Sequence, residues 1–290
     1  MFFGFERRRI DAAGVGINLM IGGSGPPLLL LHGYPQTHVL WHKVAPRLAE
    51  RFTVVASDLR GYGDSGKPPA GDDHAGYSKR AMAADQVAVM RALGFERFFV
   101  AGHDRGGRVA HRMALDHADT VTRLAVLDIV PTYKLYATAD RALATAYWHW
   151  FFLIQPFDLP ERLIGADPEY YLRRLFARWG AAATAFSPAA MREYLRCFSD
   201  PATIHASCED YRAAASVDLE HDRSDLDRKL ACPLLVLWGE QGAMHRLYDV
   251  LACWRERARD VSGRALGCGH YLPEEAPGET ADELIGFFPA

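Results

Sequence analysis

Short apolar runs alternate along this chain with longer amphipathic stretches, and the alternation predicts strands and helices in turn. Gly14–Ile21 reads as an early strand, and Gly22–Pro27, rich in Gly, Ser and Pro, as the turn after it. Leu28–Leu31, Thr53–Ala56, Phe98–Ala101, Leu124–Ile129 and Cys232–Gly239 are nearly continuous apolar runs, the pattern of strands buried on both faces. Helical patterns separate them. Trp41–Glu50 is one; Met82, Val89, Met90 and Leu93 mark the face of a second that ends at Gly94; Val109, Met113 and Ala114 mark a third running to about His117. Near the end, Leu247–Arg257 predicts a helix, Gly263–Leu266 a last short strand and Ala281–Phe288 a closing helix. This order implies an α/β fold with a mostly parallel, doubly wound sheet and helices on both faces.

The strand signal stops between about Pro131 and Asp218. That stretch is helical in pattern and rich in aromatic residues, with Tyr147 to Phe152, Tyr170, Tyr171, Trp179, Tyr194 and Tyr211. It predicts a helical cap, residues 131–218, inserted into a core domain formed by residues 1–130 and 219–290. Asp58–Ser65 reads as a structural turn rich in glycine, and Lys67-Pro68-Pro69 as an exposed stretch.

Composition narrows the partners. With 290 residues, 49% of them hydrophobic, the chain can bury a large core, which excludes disordered and fibrous classes. The net charge is −3 and no basic run exceeds Arg7-Arg8-Arg9, so nucleic acid has no footprint to hold and a small molecule is the expected partner. Leu28–Leu31, the longest aliphatic run, is far too short for a membrane span. Met1–Phe5 precedes its arginines, the reverse of a signal peptide, so the expectation is a cytoplasmic protein, either monomer or homodimer. The cysteines at 197, 208, 232, 253 and 268 form an odd set with no Cys-x-x-Cys pair. They predict reduced packing residues instead of a disulfide framework or a zinc site, and no metal or cofactor is expected.

The chemistry concentrates where strands should end. Gly102-His103-Asp104-Arg105-Gly106 follows the Phe98–Ala101 strand, and with Ser at 104 it would be the Gly-x-Ser-x-Gly elbow that lifts a nucleophile above the sheet. An ordinary loop with Asp104 as helix N-cap is the plainer alternative. Asp128 closes the next strand and His270 sits in the loop after the last one. The order Asp104, Asp128, His270 therefore matches nucleophile, acid and histidine on this fold. A carboxylate attacks saturated carbon and leaves an ester, so His270 would activate water to cleave that ester while Asp128 holds its tautomer. The amides of Tyr34, in His32-Gly33-Tyr34-Pro35, and of Arg105 are the expected oxyanion donors. Arg105 and Arg108, one residue and one helical turn after the nucleophile, would grip a substrate carboxylate through forked hydrogen bonds; a salt bridge or a solvated helix face is the alternative.

These stretches resemble the haloacetate dehalogenases, in particular the fluoroacetate dehalogenases, of the α/β-hydrolase superfamily. The resemblance spans nearly the whole chain, through His32–His38, Gly102–Arg108, Val126–Tyr133, Tyr147–Trp150, Cys208–Ala213 and Gly269-His270. It implies that Asp104 attacks the halogen-bearing carbon of a haloacid, that Arg105 and Arg108 bind the acid, and that Asp128 and His270 hydrolyse the ester. It also implies that His149, Trp150 and Tyr211 receive the halide, and their imidazole, indole and phenol donors suit a small developing anion. Tyr34 departs from the family, which more often has Phe there. An epoxide hydrolase shares the aspartate nucleophile but acts on neutral substrates, which the two arginines oppose. A non-catalytic ligand-binding protein of the same fold is the alternative from another class.

Overall fold

The structure, a computed structural model, describes residues 1–289. Its centre is an eight-stranded sheet of β1 (Glu6–Ala12), β2 (Val15–Gly22), β3 (Pro27–Leu31), β4 (Thr53–Ser57), β5 (Phe98–His103), β6 (Val121–Leu127), β7 (Leu234–Gly239) and β8 (Val261–Leu266), in the order β1-β2-β4-β3-β5-β6-β7-β8. β1 and β2 are antiparallel additions at one edge, and β3 to β8 run parallel. The apolar runs pack both faces at once. Leu29, Leu31, Val100, Val126 and Val236 enter one core, while Leu28, Leu30, Ala101, Leu127 and Leu237 enter the other.

After β3 the chain crosses to β4 on one side and then returns to β5 on the other. The loops leaving β3 and β5 thus open a crevice at the C-terminal ends of neighbouring strands, the place where such sheets hold ligands. α1 (Ala45–Leu48) and α2 (Lys79–Ala92) connect these strands, and α3 (Arg105–Asp116) leaves β5 directly. The Ser78 hydroxyl starts α2 by accepting the Ala81 N–H at 3.2 Å.

Between β6 and β7 the described chain is helical: α4 (Thr132–Ala137), α5 (Arg141–Ala146), α6 (Trp148–Leu153), α7 (Leu159–Ala166), α8 (Pro168–Trp179), α9 (Pro188–Phe198), α10 (Pro201–Ala215) and α11 (Val217–Ser224). α12 (Ala243–Leu247), α13 (Val250–Arg255), α14 (Leu272–Glu275) and α15 (Pro277–Phe287) complete the chain.

Several sequence expectations need correction. The helix expected over Trp41–Glu50 is a 3-10 turn at His38–Trp41 followed by the short α1. Pro46 fits only the first turn of a helix, so the helix restarts around it. The helix expected over Leu247–Arg257 is split, because Asp249 caps a new start at Val250 by accepting the Ala252 N–H at 2.9 Å. α15 begins earlier than Ala281, at Pro277, and β8 begins at Val261. Lys67 and Pro68 are half-buried, with the Lys67 ammonium donating to the carbonyls of Gly63 and Ser65. β1 was missed because its sequence, Glu-Arg-Arg-Arg-Ile-Asp-Ala, is almost wholly polar, a composition suited to an edge strand.

All five cysteines are free and buried. No helix among the described residues is long and apolar enough to cross a membrane.

Candidate active site

Asp104 stands at the turn between β5 and α3 with φ 45° and ψ −114°, a conformation that non-glycine residues adopt only under constraint. The constraint is the packing of its flanks. A Cβ on Gly102 would lie 2.4 Å from the Gly106 carbonyl oxygen, and one on Gly33 would lie 2.5 Å from the Asp104 Cβ. Glycine at these positions lets the backbones close under and beside the carboxylate. The Tyr34 N–H then donates to Asp104 Oδ2 at 3.0 Å. Of the two expected oxyanion amides, Tyr34 makes this contact; the Arg105 N–H is not among the donors to the carboxylate.

Asp128, also at positive φ (52°), follows β6 beside β5. Its Oδ1 accepts the Gly239 N–H at 2.9 Å, and its Oδ2 lies 2.6 Å from His270 Nδ1. Burial alone would lower the basicity of His270. The hydrogen bond and charge of Asp128, with the charges of Asp104 and Glu275, outweigh it and raise the imidazole above its ordinary 6.5. Burial likewise disfavours the Asp104 carboxylate, but the neighbouring His270, Arg108 and Arg105 win and hold it below 3.8. His103 itself falls to about 3 through burial and the nearby His270, so it is a neutral ring under the site, its Nε2 donating to the His270 carbonyl at 2.8 Å.

The two arginines differ in what they have left to offer. Arg105 is fully buried, and its Nε and Nη2 fork is already taken by Asp210 of α10, at 2.9 and 2.6 Å. Asp210 also accepts the Tyr62 hydroxyl at 2.6 Å and the Lys79 ammonium. Of the three Arg105 side-chain nitrogens, Nη1 alone lacks a partner among the described residues. Arg108 instead spends Nη1 on the Val130 carbonyl and the Thr132 hydroxyl, which leaves the Nε and Nη2 edge unpaired. The expectation of two forked grips is therefore corrected to one fork, on Arg108, and one single donor, on Arg105.

His149, Trp150 and Tyr211 come together against these guanidinium groups. Arg105 lies 4.1 Å from the Tyr211 ring centre, and Arg108 lies 4.5 Å from that of Trp150. His149 Nδ1, Trp150 Nε1 and Tyr211 Oη are buried with no partner among the described residues. Burial and the Asp104 charge keep the Tyr211 phenol protonated, and burial keeps His149 neutral. Each is thus able to present a neutral donor. Tyr34 stacks on His149 at 6.3 Å, and its hydroxyl donates to the Tyr171 hydroxyl at 3.2 Å, so the atom that distinguishes it from Phe points into the helical segment.

A cavity of about 320 Å³ reaches Asp104, Asp128 and His270 past Tyr147, His149 and Trp179. Sequence reading missed Asp210 with Lys79 and Tyr62, whose only signal was an acid beside Tyr211 in a stretch full of other charges. One further group, Glu161, His205 and Glu209, has ligand atoms within 4.8 Å of one another, but the Arg212 guanidinium bridges both glutamates and occupies the role a cation would take.

A carboxylate on a strained strand-to-helix turn, facing an acid-supported histidine across parallel strand ends, defines a hydrolase site of the α/β type. The chain matches the family described as alpha/beta hydrolase fold over residues 26–277. It is 52% identical to a fluoroacetate dehalogenase from Burkholderia sp, over 99% of this chain and 95% of that one. It is 38% identical to a soluble epoxide hydrolase from Corynebacterium sp. (strain C12), over 95% and 94%. The crystal structure of an alpha/beta-hydrolase-fold chain from Nostoc sp PCC 7120 superposes with a TM-score of 0.98 at 63% identity, covering 99% of both. The chain belongs to the alpha/beta hydrolase fold family and, within it, to the haloacetate dehalogenases.

Proposed function

We propose that this enzyme converts a haloacetate, fluoroacetate or chloroacetate, to glycolate and halide through an ester on Asp104. The coarser statement, a hydrolase acting on carbon-halide bonds, follows from family membership. The observation that carries the finer one is the set of buried, unpartnered donors on Arg105, Arg108, His149, Trp150 and Tyr211, all on side chains packed around one carboxylate. Buried donors without partners are costly, so a site that keeps this many is built for an anion that develops further negative charge at its other end as it reacts.

In this reading Arg108 holds the substrate carboxylate by its free edge and Arg105 adds a single N–H. Asp104 displaces halide from the α-carbon, and the C–X electron pair leaves with the halide toward His149, Trp150 and Tyr211. His270, neutral at Nε2, takes a proton from water as the water oxygen bonds to the ester carbonyl. The acyl C–O bond then breaks, glycolate keeps the former Asp104 oxygen, the proton on His270 passes to the departing alkoxide, and the other water proton leaves the regenerated Asp104 carboxyl for solvent. The helical segment 131–218 serves as the cap that supplies the halide donors and excludes water.

Arg108→Ala removes the one free guanidinium edge. Losing a charged hydrogen bond costs about 1.5–3 kcal/mol, so kcat/KM for fluoroacetate should fall by roughly one to two orders of magnitude. Unchanged kinetics would remove Arg108 from acid recognition.

The two chemical steps should respond differently to pH. His270 works as a base, and the Asp128 hydrogen bond and charge that raise its imidazole persist once the ester has neutralised Asp104, so ester hydrolysis should be lost as pH falls through a midpoint in the neutral range. Asp104 is held below 3.8, so alkylation should stay flat between about pH 5 and 8. Rapid-quench measurement of both steps checks this, and a hydrolysis step without a neutral-range midpoint would contradict the base assignment.

Halide release from fluoroacetate and chloroacetate, with styrene oxide as control, tests the whole reading. Turnover of the epoxide without halide release from either acid would favour the epoxide hydrolase alternative, which shares the nucleophile but has no use for the arginines.

A further inference from the structure

The loop that carries His270 is fastened to the helical segment as well as to the sheet. The His270 N–H donates to the Trp179 carbonyl at 2.9 Å. On either side of it, the Gly269 and Tyr271 N–H groups donate to the two carboxylate oxygens of Glu275, at 3.1 and 2.9 Å. The same carboxylate accepts the Ala181 N–H of the helical segment at 2.6 Å. Approach here is close enough that a Cβ on Gly269 would lie 2.5 Å from the Ala181 nitrogen and 2.6 Å from the Trp179 oxygen. Trp179, Gly180 and Ala181 also line the cavity that reaches Asp104.

One carboxylate therefore gathers backbone donors from both neighbours of the candidate base and from the helical segment facing it. Asp128 holds the imidazole at Nδ1, which fixes the ring; it does not fix the backbone from which the ring hangs. Charged acceptors of backbone N–H groups are stronger than neutral ones, and three donors on one side chain leave it little freedom to move. We infer that Glu275 is a positioning residue for ester hydrolysis, holding His270 in line with the Asp104 carbonyl by tying residues 269–271 to residue 181. The inference rests on the reading of His270 as the base for the second step.

That division of labour gives a kinetic signature. Loosening His270 leaves alkylation by Asp104 alone and slows only the attack of water, so kcat and KM for chloroacetate fall together while kcat/KM holds. A misplacement of the order of 1 Å at a reacting group costs up to about 10²-fold. Glu275→Ala should therefore slow ester hydrolysis by roughly 10- to 10²-fold, with alkylation within about threefold of wild type, and Glu275→Gln, which keeps one acceptor oxygen, should fall between. Intact-mass spectrometry during chloroacetate turnover, with His270→Ala alongside, reads the ester directly, and melting curves confirm the fold. If Glu275→Ala does not fold, Glu275→Gln carries the test. Adduct in both the Glu275 and His270 variants supports the assignment. Adduct in His270→Ala only, or alkylation and hydrolysis slowed equally in the Glu275 variants, overturns the role of Glu275. Adduct in neither overturns the ester reading on which it stands, and the inference with it.

Discussion

His270→Ala is expected to stop after one turnover, releasing a single equivalent of halide per enzyme and leaving a carboxymethyl group on Asp104. The nucleophile needs no deprotonation at neutral pH; removing His270 takes away one of the charges that favour the carboxylate, but Arg108 and Arg105 remain beside it and the Tyr34 N–H still supports one oxygen. Bond formation to carbon should therefore survive the substitution. Cleaving the ester should not, because the imidazole hydrogen-bonded to Asp128 at the cavity is gone, and general-base assistance is commonly worth on the order of 10²–10⁴-fold. Peptide mapping should place the added mass at Asp104. In wild-type enzyme, one turnover in ¹⁸O-labelled water should put the label into the Asp104 carboxylate, because water attacks the acyl carbon. Label found only in glycolate would mean that water attacks the substrate directly, with Asp104 as a base.

Tyr211→Phe should depress fluoroacetate turnover by about 10²–10³-fold and chloroacetate turnover by much less. The substitution keeps the ring that packs at 4.1 Å from the Arg105 guanidinium and at 5.8 Å from Trp150, and removes only the unpartnered hydroxyl. Fluoride concentrates its developing charge on a small atom and is the poorest leaving group of the series, so a fixed donor lowers its barrier most. Chloride spreads the same charge over a larger ion. Single-turnover rates are the quantity to compare, since slow product release would mask the chemical step. Equal losses for both acids would assign Tyr211 to placing the substrate, and no loss would leave it a packing residue.

Much of this architecture is legible in the residues themselves. Five nearly continuous apolar runs announced the central strands because a strand covered on both faces needs no polar positions, whatever surrounds it. The elbow was legible because its glycines are local requirements: Gly102 and Gly106 meet within one turn. The ends of helices were read less well where one residue changes the outcome, as at Pro46 and Asp249, and β1 was invisible because a polar edge strand is defined by its partner.

The state of the charged groups belonged to the tertiary structure alone. Arg105 and Arg108 look equivalent in sequence, yet an acid 105 residues downstream consumes the fork of the first, while the segment after β6 consumes only one nitrogen of the second. Asp128 meets His270 across 142 residues, and Glu275 meets Ala181 across 94. Sequence by itself determined the central strands, the elbow and the order of the reactive groups, since these follow from periodicity and turn chemistry within a few residues of each position. Which donors remain free to hold an anion was decided only by folding, because a buried hydrogen bond depends on distant segments brought within about 3 Å, and no local pattern encodes that distance.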